Sequence, residues 1–181
     1  MFAFGHLGIG TQLFRPWISK GTLPYFCLGA LLPDLIDKTT YYLACWLTGL
    51  QGASLPLIHG TRIFGHTGLF LAVFAGLSYW AKSAPLKALA WGVLSHLLLD
   101  VASDQLNTFR PSAIFSNIPL LWPFDGRGFP LAHYLTLEAH FLSLTKPILL
   151  ASEVIGVLLC LHIRSRLKKS TQAQLKDALN F

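Results

Sequence analysis

Charge is what this sequence has least of. Only 12% of its 181 residues are Asp, Glu, Lys or Arg, about half the share of an average soluble domain, while 53% are apolar and the mean hydropathy is +0.53. So little polar surface does not cover a water-facing globule. Disordered, collagen-like, coiled-coil and highly charged nucleic-acid-binding classes are thereby excluded, leaving an integral membrane protein or an unusually greasy soluble one. Cysteine is also sparse. Cys27, Cys45 and Cys160 lie in apolar runs without CxxC spacing, which excludes a zinc knuckle or a disulfide framework and leaves buried fillers. A GxSxG elbow, a GxxxxGK-S/T loop, HExxH and GxGxxG are missing too, so serine-hydrolase, P-loop and gluzincin chemistry have no support. The amino-terminal stretch has neither a basic n-region nor a small-residue cleavage site, so its first helix is expected to be retained.

What is present is a series of charge-free intervals, informative because a membrane crossing takes about twenty mostly apolar residues. The clearest is IFGHTGLFLAVFAGLSYWA, residues 63–81. A short turn with Lys82, Pro85 and Lys87 separates it from LKALAWGVLSHLLLDVA, residues 86–102, and the two read as a helical hairpin. PILLASEVIGVLLCLHI, residues 147–163, opens on a proline suited to a first helical position and stops at a basic tail. Residues 1–14 and 21–36 are shorter and read as marginal spans or tilted, partly interfacial helices. YYLACWLTGL, residues 41–50, is too short to cross and too apolar for a free loop, and reads as re-entrant or interfacial.

The expected fold is all-α: a polytopic membrane bundle of about four to five transmembrane helices with a long extramembrane loop. It divides into one membrane-embedded domain, residues 1–164, whose loop over 104–146 is too long for a passive turn, and a basic cytoplasmic tail, residues 165–181. Five of the fourteen Lys and Arg fall in the last eighteen residues, which reads as a flank beside lipid headgroups. A basic groove interleaved with aromatics is missing, so no nucleic-acid partner is expected. With five spans and a cytoplasmic tail, Arg15, Lys20, Lys82 and Lys87 also lie inside, nine basic residues against five outside.

That topology gathers His6, Asp34, Asp37, Arg62, His66, His96 and Asp100 near the outer ends of their helices. Ionisable groups at such depth cost about 2.5 to 3.5 kcal/mol each, so they should pair with one another or with a cation. His96 and Asp100 are an i,i+4 pair on one helix face, with Asp104 a turn further on; they suit a chelate or a hydrogen-bonded pair that fixes helix packing. Asp34 and Asp37, in LLPDLIDK, suit a ligand plus a base, or a helix cap beside Lys38. Arg62 and His66, in TRIFGHT, offer an anion-binding cation and an imidazole, although snorkelling is the commoner fate of an arginine at a helix end. His59 reads as a surface residue and His162 as interfacial, Glu153 has no assignment, and His133, Glu138 and His140 are minor candidates.

Taken in order, His6, LGALLPDLIDK, TRIFGHT, SHLLLD and LLWPF resemble the LexA-binding, inner-membrane-associated hydrolases, also called membrane-bound metal-dependent hydrolases. The likeness covers roughly residues 3–125 and is far more specific than any single motif. It implies a bacterial or archaeal cytoplasmic (inner) membrane and puts His6, Asp34, His66, His96 and Asp100 on the family's metal-binding positions, with Asp37 and Arg62 on polar positions beside them. The sequence departs from the commoner HRGxTHS pattern, with Thr61 where a histidine often stands and Gly65 where a threonine does; this counts against two metals unless His59 substitutes. The expected activity is hydrolysis of a phosphoester or lipid-like substrate by water activated on a divalent metal, zinc first, with Asp37 as general base and Arg62 on the scissile anion. The rivals are a non-catalytic membrane protein whose cluster is structural or binds a regulatory protein through the tail, and an ion transporter or channel. The expected partners are membrane lipid, that substrate and such a regulator.

Overall fold

The computed structural model describes all residues except 56–57, 109–117, 127, 132–133 and 180–181, together with the side chains of all but 107–108 and 173–179 of the rest. The described residues form six α-helices: α1 (Ala3–Phe14), α2 (Leu23–Thr48), α3 (Gly68–Trp80), α4 (Ala84–Thr108), α5 (Leu137–Leu142) and α6 (Pro147–Leu179). No strand occurs among them. The helix ends follow local chemistry. Pro24 stands in the first turn of α2, which closes on Gly49 at φ 71° with its amide on the Cys45 carbonyl. The Thr67 side chain accepts from the Phe70 amide and starts α3. The α3–α4 hairpin forms as its turn residues imply.

Among the described residues two helices have the length and hydropathy of a crossing, over Ala84–Leu106 and Pro147–Gln172, where four to five were expected. α1 has 12 residues and α3 has 13, each only about 20 Å long or less. The 63–81 interval loses its first turns because residues 63–66 are drawn aside to hydrogen-bond to α2. The segment 41–50 is not re-entrant: it continues α2 without a break through Thr48. The charges at Asp34, Asp37 and Lys38, which read as an interruption, are buried or paired along that helix. Helix α6 likewise runs through 164 and 165 unbroken.

α4 is the central helix. Its Leu89, Val93 and Leu97 are buried against Phe70, Leu71 and Phe74 of α3, and its Ala88 lies with Phe14, Phe26 and Ala30 of α1 and α2. Backbones approach closely wherever glycine removes the side chain, the usual device for packing helices that share no hydrophobic drive in lipid. A Cβ on Gly92 would stand 2.2 Å from the Phe26 carbonyl oxygen, and one on Gly8 would stand 2.1 Å from that of Gly156. Gly8→Ala is therefore expected to part α1 from α6 and lower stability by about 1–3 kcal/mol, read as a drop in the thermal midpoint of the detergent-solubilised protein. An unchanged midpoint would contradict the close packing. α6 leaves Leu150, Val154, Ile155, Leu158 and Leu161 exposed, an apolar surface far larger than a water-facing helix carries.

Candidate metal centre

Successive helices run to and from one end of the bundle, and the polar residues collect there. α1 starts at that end with His6, α2 arrives with Asp34 and Asp37, the 3₁₀ turn Phe64–His66 crosses it, and α4 returns with His96 and Asp100. His6, Asp37, His66 and His96 have no accessible surface, and Asp100 is 2% exposed. All seven residues singled out in the sequence lie in or beside this cluster.

Asp37 builds the TRIFGHT loop. Its Oδ2 accepts from the Ile63 amide at 2.7 Å and its Oδ1 from the Gly65 amide at 2.9 Å, while His66 Nδ1 donates to Oδ2 at 2.8 Å. This carboxylate holds three donors, has no accessible surface and does not line the cavity described below, so it stands behind His66. Gly65 fits there because a Cβ would stand 2.7 Å from the Pro33 Cα. Pro33 also has no N–H to give and loosens the preceding turn of α2. In that turn the Ala30 carbonyl accepts from His96 Nδ1 at 2.7 Å.

These two bonds fix both tautomers. A carbonyl only accepts, so His96 carries its proton on Nδ1, and His66 donates from Nδ1 to a carboxylate. In the neutral imidazoles each Nε2 is then a bare lone pair, and the two Nε2 atoms face one another at 3.2 Å. Lone pairs so placed need a positive charge between them, a shared proton or a cation. Carboxylates close in on the same point. Asp34 Oδ1 is 3.5 Å from His66 Nε2 and 3.8 Å from His96 Nε2, and Asp100 Oδ2 is 3.5 and 3.9 Å from the same atoms. Ligands about 2.0–2.1 Å from a tetrahedral zinc stand roughly 3.3 Å apart, close to this spacing. Imidazoles held through Nδ1 by a carboxylate or a backbone carbonyl are the usual outer support of metal ligands.

His6 completes the cluster from α1. Its ring stacks on His96 with centroids 3.9 Å apart, and Nε2 lies 3.3 Å from Asp100 Oδ1. Among the described residues neither of its buried ring nitrogens has a hydrogen-bond partner. Two donor sets result, His6–His96–Asp100 and Asp34–His66–His96, each with its atoms within 4.8 Å of one another. They share His96, which has one free nitrogen to give.

Arg62 stands at the rim, on Asp104 at 2.5 and 3.2 Å and on Asp100 at 3.0 Å. Lys38 meets Asp34 Oδ2 at 2.6 Å. Both line a cavity of about 330 Å³ that reaches Asp34 and Asp100 and is also lined by Tyr134, His140 and Lys146. Burial pushes the His140 imidazole down to about 4, so it stands neutral in that wall at pH 7. His59 keeps to its own loop, with Nδ1 3.2 Å from the Leu55 carbonyl oxygen. His133 lies outside the described residues.

Glu153 does not ligate. Reaching across from α6, it accepts from the amides of Phe2, Phe4 and Gly5 at 3.1, 3.0 and 2.9 Å, satisfying the bare first turn of α1. Its one sequence signal is to be the single acid in an otherwise charge-free run. The amino group of Met1 lies 2.8 Å from Asp100 Oδ1.

Among known families, the model of the YdjM inner membrane protein matches residues 1–167. The chain belongs to that family and is an integral inner-membrane protein. The family description names the membrane, and neither LexA binding nor hydrolysis. No curated protein and no solved structure matches the chain.

Proposed function

We propose that this YdjM-family protein is a membrane-embedded metal-dependent hydrolase acting on a phosphoester, as a headgroup or a small soluble ester. The observation that carries the reading is the pair of Nε2 lone pairs at 3.2 Å, each locked by its Nδ1 bond, with two carboxylate oxygens at 3.5 to 3.9 Å. His66, His96, Asp34 and Asp100 are the residues that would hold the ion, with His6 as a further donor beside Asp100. Nitrogen and oxygen donors at tetrahedral spacing favour zinc among divalent ions. Zinc there would supply a Lewis acid and lower the pKa of nearby water.

The protein's own groups do the remainder. Asp37 keeps the His66 proton on Nδ1 and aims Nε2 inward; in this reading it orients and does not serve as general base. Arg62, Lys38 and Lys146 line the cavity beside Asp34, Asp100 and Asp104, and with the carboxylates turned to an ion these cations would be left to meet an anionic ester. Arg62 also ties Asp100 to Asp104, so it steadies a ligand while facing the substrate. A five-span arrangement, with α1 to α4 and α6 alternating in direction, would bring this face to the outer membrane surface and the tail to the cytoplasm.

The test is metal content by mass spectrometry of the purified full chain in detergent, after loading with zinc or manganese, with Asp100→Ala alongside. About one equivalent in the wild type and a loss in the variant are expected, with hydrolysis of a phosphoester panel following the metal. A loaded wild type without metal would sink the mechanism and leave the cluster as a proton-sharing pin between helices.

A further inference from the structure

At the far end of α1 from His6 lies a second cavity, of about 550 Å³, between the Arg15–Trp17 turn, the start of α2 and residues 162–170 of α6. Its rim carries Arg15, Lys20, Arg166 and Lys169, with His162 beside them. Its floor is apolar, from Ile18, Leu23, Ile163 and Leu167. None of the described lining residues is acidic. Lys20 donates to Ser170 Oγ, which holds the α1–α2 turn against α6.

The cavity's level in the bilayer is set by α6. The exposed apolar band from Leu150 to Leu161 ends just before Arg164, the first cation of that helix, so the rim stands where hydrocarbon gives way to headgroups. Trp17, 59% exposed, lies in the same turn, as aromatic residues do at that boundary. We propose that this cleft is a binding site for one anionic glycerophospholipid, its phosphate between Arg15 and Arg166 and the start of an acyl chain over Leu23 and Leu167. Charge complementarity selects the anion, and the apolar floor selects a lipid over a free phosphate ion. Basic pockets between helices at the cytoplasmic face bind acidic headgroups in this way. The site is independent of the metal centre and of its chemistry.

Native mass spectrometry of the delipidated full chain tests it, by titration with phosphatidylglycerol, phosphatidylcholine and inorganic phosphate. The wild type should hold the first about tenfold or more tighter than the second. Arg15→Gln with Arg166→Gln should erase that preference, and Arg164→Gln with Lys168→Gln, the same charge lost outside the cleft, should keep it. Should the first pair fail to purify, Lys20→Gln with Lys169→Gln replaces it. Equal retention of both lipids, displacement of the lipid by an equal concentration of phosphate, or an equal loss in the outside pair would each overturn the assignment.

Discussion

Asp37→Ala should give a protein that melts far below the wild type. The buried carboxylate is the acceptor for the Ile63 and Gly65 amides and for His66 Nδ1, and alanine leaves all three donors without it in a site closed to water. One orphaned buried donor costs about 1–3 kcal/mol. A loss on the order of 4 kcal/mol is a large part of the stability of a small protein. Asp37→Asn separates folding from orientation. It keeps one acceptor oxygen for the loop but turns an amide donor toward the others, so the fold should survive with about 10–100-fold weaker metal binding, as when an outer partner of a ligand is removed. Thermal midpoint and metal titration read the two effects. An Asp37→Ala protein that melts like the wild type would refute the anchoring role.

The second large effect is a contrast between histidines. His96 contributes to both donor sets, and its Nε2 is one of the facing pair, so His96→Ala should lower metal affinity by more than about 100-fold, beyond the loss of an outer partner alone. His6→Ala should weaken binding far less. His6 stacks on His96 and reaches Asp100, but it is absent from the second set, Asp34–His66–His96. Equilibrium dialysis with zinc ranks the two. If His6→Ala were the more damaging, the ion would sit between α1 and α4, and the facing Nε2 pair would share a proton instead. Binding should weaken toward acid pH in every case, because each imidazole must be unprotonated to ligate.

Much of this arrangement can be read from the sequence, because membrane helices alternate in direction. Polar residues at the start of one apolar run and the end of the next fall at the same end, which is how His6, Asp34, His66, His96 and Asp100 come together. The hairpin of α3 and α4 is equally plain, from one uncharged run, a second that is apolar apart from Lys87, His96 and Asp100, and a short turn between them. What escapes is charge that has a partner. Asp34 and Lys38 look like the end of a helix, yet their i,i+4 pair lets α2 continue through them to Thr48. Asp37 looks like a base because nothing in its own segment reveals that residues 26 to 29 positions further on will fill it. The 63–81 run looks like a crossing because hydropathy does not register the hydrogen bonds that pull its first turns aside. Lys146, Tyr134 and His140, which also line the cavity, carry no local motif at all.

Glu153 sets an order of events for biogenesis. The first turn of α1 is satisfied by a side chain 148 to 151 positions later, and α1 lies closest to α6 where Gly8 meets Gly156. During synthesis α1 is therefore made long before Glu153 exists, its leading amides still held by water or headgroups. α2, α3 and α4 can associate in the meantime around Gly29, Gly92 and the shared apolar layer. The arrival of α6 then adds the Glu153 acceptor and the Gly8–Gly156 approach to an α1 that also packs on α2 and α4 through Phe14, Phe26, Ala30 and Ala88. A chain stopped before residue 153 would therefore carry all five histidine and aspartate donors, with the first turn of α1 left without its acceptor.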